Sequence, residues 1–186
     1  MLTGRAHPLP VVMLAFSIAL GMSGCLAPTP DPTPSTSAAP SPSPLFNSDE
    51  EALAAATEAY AAYLAASNAV GQGGWQTLFP IEALVTEEAL ADDVALAEMY
   101  RAQGYVQAGA TTFDSLAVQS YDAGGATAYL CLDASQADLL DASGTSVVDR
   151  DQPRRVPLEV EFTLAPEMSS ELLVGRSEVW SGKNFC

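Results

Sequence analysis

VPLEVEFTL, residues 156–164, is the stretch that decides the fold. Leu158, Val160, Phe162 and Leu164 fall on one face of it, and Glu159, Glu161 and Thr163 on the other. That period of two predicts a strand with one side on a core and the other in water, as in an antiparallel sheet. Working outward, the same period recurs on both sides. Leu116, Val118 and Ser120 alternate with Ala117, Gln119 and Tyr121, and Gly124-Gly125 turns the chain. Ala128, Leu130 and Leu132 then alternate with Thr127, Tyr129, Cys131 and Asp133. A short strand over 137–140 meets the turn Asp141-Ala142-Ser143-Gly144, and residues 145–148 are expected to return from it as the second arm of a hairpin. Downstream, residues 165–170 turn and 172–180 form the last strand.

Upstream of Gly104 the period is 3.6. Ser48-Asp49-Glu50-Glu51 reads as a capping box, with Ser48 as N-cap and Glu51 three residues on. Leu53, Ala56, Tyr60, Tyr63, Leu64 and Ser67 follow at three- and four-residue spacing as the apolar face of a long helix, which Gly71 and Gly73-Gly74 are expected to stop. Residues 75–85 read as a short helical piece broken near Pro80. Thr86 caps a third helix whose first turn carries Glu87 and Glu88, whose buried face is predicted as Leu90, Val94, Ala97 and Tyr100, and which Gly104 ends. Helices first and antiparallel strands afterwards mean an α+β fold, with the long helix on the apolar face of a curved sheet.

Before these elements the composition changes twice. Residues 26–44, LAPTPDPTPSTSAAPSPSP, hold seven prolines, mostly alternating with Ser or Thr. Such a stretch buries no apolar surface and extends at about 3.1 Å per residue, so it reads as a stalk. Residues 11–25, VVMLAFSIALGMSGC, carry an apolar run too short for a bilayer core, which needs about 20 residues of helix. With Arg5 ahead of it and small residues behind, the run reads as an export signal. Ser23-Gly24-Cys25 looks like a lipobox, with Met22 where Leu is usual, and makes Cys25 the expected attachment point of acyl chains. The expected organisation is a signal peptide over 1–24, a lipidated Cys25 and tether over 25–46, and one α+β domain over 47–186. The expected location is the extracytoplasmic face of the cell membrane.

Charge and residue counts exclude several functions. Removing residues 1–24 takes Arg5 and no acid, so the formal charge moves from −16 to −17. A chain this acidic repels phosphate backbones, which rules out nucleic acid as an expected partner and leaves membrane contact to the lipid anchor. The single histidine, His7, leaves with the same segment. What remains can build neither Ser-His-Asp nor Cys-His catalysis, nor an imidazole zinc site. Cys131 and Cys186 are left as a pair outside the cytosol and read as a structural disulfide; a reactive thiol pair is the rival, although no C-x-x-C occurs. Asp149 and Asp151 follow no known calcium loop, and no metal or cofactor is expected.

The lipobox at Cys25, the Pro/Ser/Thr stalk, AYLCLDAS over 128–135, LLDASGTSVVD over 139–149 and a last strand carrying Trp180 before Cys186 together resemble a group of actinobacterial lipoproteins. Lys183 as the sole lysine agrees with the coding of a high-GC bacterium. The resemblance implies a nuclear transport factor 2-like (cystatin-like) domain, a cone of helices held in a curved sheet, and an address without an activity. Three functions are open. The first is a non-catalytic envelope module holding a small apolar ligand or a protein partner, for which Tyr60, Tyr63, Trp75, Tyr100 and Phe113 are the candidate pocket residues, each more readily read as core than as pocket. The second is an accessory subunit of a cell-envelope complex that binds a protein partner. The third is an isomerase-like enzyme, which the resemblance would place on Asp133 beside Tyr129; otherwise Asp133 is a strand-end carboxylate.

Overall fold

The computed structural model describes residues 45–165 and 171–186. The signal, Cys25, nearly all of the tether and most of the turn at 165–170 lie outside the described residues. Leu45 and Phe46, assigned by composition to the tether, belong to the folded domain. Phe46 is buried edge-on against Tyr121 at 5.7 Å, and the Leu45 N–H bonds the carbonyl of Asp122.

The first helix, α1 (Asp49–Gln72), starts at the predicted N-cap Ser48, with Glu51 reaching back one residue beyond the N-cap. The Ser48 hydroxyl accepts the Glu51 N–H at 3.2 Å, while the Glu51 carboxylate reaches back to the Asn47 N–H at 2.9 Å. Its buried stripe is Ala52, Ala56, Tyr60 and Leu64, one residue per turn. The predicted face was wider, and Leu53 in fact stands 38% exposed at its margin. Gly71 does not stop the helix; it lies buried inside the last turn, where a Cβ would come within 2.5 Å of Gln107 Oε1. The glycine is there for close approach. Nor does Pro80 break a helix, since it sits in the first turn of α2 (Phe79–Glu82), where a missing N–H leaves no bond unmade.

The third helix, α3 (Glu87–Gln103), is capped by the Thr86 hydroxyl, which accepts the Ala89 N–H at 3.3 Å, and ends at Gly104 with φ 68°. Of its predicted buried face only Ala97 is buried; Leu90 and Tyr100 are half-buried and Val94 is exposed. Asp93 takes the inward position that Val94 was expected to hold, facing Tyr63 of α1. A helix at the edge of a core needs only a narrow inward line, and a predicted stripe overestimates it.

The strands are β1 (Val106–Gly109), β2 (Thr112–Tyr121), β3 (Gly125–Asp133), β4 (Ala137–Leu140), β5 (Arg155–Leu164) and β6 (Leu172–Val179). Four of them form an antiparallel sheet in the order β2-β3-β5-β6, and β1 pairs β4 antiparallel in a two-stranded sheet. The fold is α+β, helices followed by antiparallel strands. β1 has no alternation to announce it and exists because β4 offers a pairing edge along its whole length. The expected hairpin after β4 is cut short. Asp141 caps the turn by accepting the N–H groups of Ser143 and Thr145, and backbone bonds from Asp141 to Thr145 and from Val147 to Leu139 close it around the Leu140–Ser146 bridge before the chain leaves the sheet.

In β5 the predicted alternation is present, with Leu158, Val160 and Phe162 buried. In β2 it is reset twice by irregularities between Asp114 and Ala117 and between Val118 and Ser120. Those offsets bring Phe113, Leu116, Val118 and Tyr121 all onto the core, a grouping that a strict period of two forbids. The α1 stripe packs into the core with Ala128 and Leu130 of β3, Val160 and Phe162 of β5, and Val174 of β6. On the other side of the sheet, residues 180–186 fold back over β3: Trp180 stacks on Tyr129 at 4.8 Å and Cys186 is disulfide-bonded to Cys131. The Arg155 guanidinium also donates to the Cys186 carbonyl at 2.6 Å. Among the described residues no helix is long and apolar enough to cross a membrane.

The disulfide closes a loop of 55 residues, which restricts the unfolded chain by about 4 kcal/mol in the loop-entropy treatment. Cys131→Ser should therefore lower the midpoint of chemical denaturation markedly at constant slope. An unchanged midpoint would mean that the bridge contributes nothing.

Candidate functional site

The five predicted pocket aromatics separate into two groups. Tyr60, Tyr63 and Phe113 meet inside the domain, with Tyr60 edge-on to Phe113 at 4.9 Å and 5.9 Å from Tyr63. Tyr60 is 1% exposed. Burial pushes its phenol up to about 12, with the Ser177 hydroxyl opposing. Tyr60 is core, and Tyr63 and Phe113 are half-buried against it. Tyr63 reaches the edge of this group, donating to Asp93 Oδ1 at 3.2 Å and tying α1 to α3. Asp93 Oδ2 is buried with no hydrogen-bond partner among the described residues. Burial pushes the Asp93 carboxyl up, the Tyr63 hydroxyl pulls it down, and the neighbouring charge of Asp92 raises it further.

Trp75 and Tyr100 do line a pocket, an open cleft of about 540 Å³. That lies within the range of small-molecule sites, about 300–1,000 Å³. Gly74 and Trp75 both adopt positive φ, 71° and 63°, which turns the chain sharply as it leaves α1. The indole then lies 4.9 Å from the Tyr100 ring of α3. A left-handed conformation at a bulky residue is uncommon and costs free energy of the order of 1–3 kcal/mol, so the surrounding packing must hold Trp75 there. Tightly packed Gly71 is part of that support, since a side chain on it would meet the Trp75 ring at 3.1 Å.

The rest of the lining was not singled out in the sequence. Leu132 is the penultimate residue of β3, Leu139 belongs to β4, Val148 precedes the turn before β5, and Val156 lies in β5. Asp138, Asp149 and Arg154 stand among them as the charged groups of the cleft. Their common signal is weak. They are single apolar or charged residues at strand ends, brought together only when β4 pairs with β1.

Asp133 lies elsewhere. It ends β3 and accepts the Ser135 N–H at 2.8 Å, and this bond, followed by the Ser135 side chain and the charges of Arg155 and Arg154, holds its carboxyl below the usual range. Its expected companion Tyr129 stacks instead on Trp180 and on Phe185 at 5.9 Å. Asp133 is thus arranged as a turn cap. Asp149 does likewise, accepting the Asp151 N–H at 3.0 Å.

Because the folded state raises the Asp93 carboxyl, the fold binds its proton more tightly than the unfolded chain does, and the ionised form weakens the fold as pH rises. Asp93→Asn keeps an acceptor for Tyr63 and removes the charge. The variant should gain on the wild type as pH rises from the acid range to neutrality, read as melting temperature across pH. A difference that is flat or moves the opposite way would contradict the buried-carboxyl assignment. Compared with known proteins, the chain matches no family model and no curated protein sequence.

Proposed function

We propose that this chain is a lipid-anchored extracytoplasmic lipoprotein displaying a non-catalytic, nuclear transport factor 2-like domain that holds a small apolar ligand. The observation that carries the reading is the cleft at Trp75, Tyr100, Leu132 and Leu139, apolar in its walls with a few charged groups among them. The helix α1 laid across a bulged sheet supports the fold assignment, and the lipobox with its stalk supports the anchor. An isomerase-like use of Asp133 has less support, because that carboxylate is engaged by its own turn.

A protein-binding accessory role is the second reading. Met99 of α3 is 52% exposed and Phe79 of α2 is 77% exposed. Scattered apolar groups of this kind are ordinary on a surface, so they carry less weight than an apolar-walled cleft.

Two measurements test the proposal. Cys25→Ser should leave an unlipidated precursor; a variant that is still acylated overturns the anchor. Nile red should bind the full chain with enhanced emission, and Tyr100→Ala should weaken it about tenfold, the effect of removing one apolar wall. Equal affinity in the variant would remove the cleft as the site.

A further inference from the structure

We propose that the cleft takes an amphipathic monocarboxylate, with its apolar chain along Trp75, Tyr100, Leu132 and Leu139 and its carboxylate on Arg154. This rests on the cleft being a ligand site and adds the chemistry of the ligand.

Cations are scarce in this domain: of its six, Arg101 and Lys183 are exposed and three are committed to ion pairs. Arg150 pairs with Asp138, Arg155 with Asp114, and Arg176 with Glu161. Arg154 differs. It is half-buried in the cleft wall beside Val156, and it forms no ion pair among the described residues. Its Nη2 donates to the carbonyls of Ala134 and Ala137, each at 2.6 Å, so the link from β3 to β4 holds one corner of the guanidinium. Its Nη1 and Nε have no acceptor among the described residues. The donors to spare, on Nε and Nη1, diverge from one another, so each can give a single charge-assisted N–H bond to a carboxylate oxygen.

Two acids share the cleft with it, and both are occupied. Asp138 Oδ1 accepts the Ser146 hydroxyl at 2.6 Å and its Oδ2 meets Arg150 at 3.0 Å. Asp149 accepts the Asp151 N–H at 3.0 Å and the Gln152 side chain at 3.4 Å. They limit the ligand to a single negative charge and set its orientation, head toward Arg154 and tail toward the aromatic wall.

The test compares head groups on one chain length. Dodecanoate, 1-dodecanol and dodecyltrimethylammonium, each below its aggregation limit, are titrated calorimetrically into the full chain. Trp75 emission, read in a Trp180→Phe background, locates the binding. Dodecanoate should bind at least tenfold tighter than 1-dodecanol, the scale of a charge-assisted hydrogen bond, and Arg154→Gln should bring the ratio close to one. Equal affinity of acid and alcohol, or preference for the ammonium, overturns the role of Arg154 while leaving the cleft as an apolar site. No binding by any of the three overturns the cleft reading itself. Should Arg154→Gln fail to fold, the head-group series on the unaltered chain decides the matter alone.

Discussion

The contact on which the rest depends is the seating of α1 on the sheet through Ala52, Ala56, Tyr60 and Leu64. Two alanines per three turns let the helix backbone come close to the strands, and the one large ring, Tyr60, fills the space that remains. Burying a side chain of that size contributes about 2–3 kcal/mol, and at native packing density a change of even one methylene is felt. Both irregularities in β2 serve this contact. Without them Phe113 and Tyr121 would not join Leu116 and Val118 beneath the helix, and Tyr60 would lose the edge-on partner that Phe113 provides.

A second constraint holds the opposite side of the sheet. Cys131, Tyr129 and Arg155 each grip the segment that follows β6, by a covalent bond, a ring contact and a hydrogen bond. One side of β3 is therefore covered by α1 and the other by residues 180–186. That double cover explains why Cys131 is buried although its place in the alternation points it away from the helix. It also accounts for Tyr129, whose ring is taken up by Trp180 and so offers nothing to Asp133.

The candidate site grows from what these two constraints leave over. Helix α3 touches the domain along a thin line, and the small sheet of β1 and β4 stands apart from the main one, so a gap opens between them. Trp75 is forced into it by a strained turn, and Arg154 closes part of it while reaching across to two carbonyls. A charged side chain held by backbone groups is pre-oriented, which is the property a recognition site needs and a solvent-exposed pair lacks.

By itself the sequence determined the order of helices and strands, the caps at Ser48, Thr86 and Gly104, the alternation of β5, and the pairing of the last two cysteines. These follow from local rules: a period, a hydroxyl three residues before an N–H, a glycine where φ is positive, two cysteines within the folded domain. Only the tertiary structure decided that Leu53 and Val94 would be exposed, that β1 would exist, and that of five aromatics Trp75 and Tyr100 would line a cleft while Tyr60, Tyr63 and Phe113 packed together. The reason is physical. Burial depends on which neighbour arrives from a distant part of the chain, and Leu132, Leu139, Val148 and Arg154 become neighbours only through strand pairing that no local period encodes.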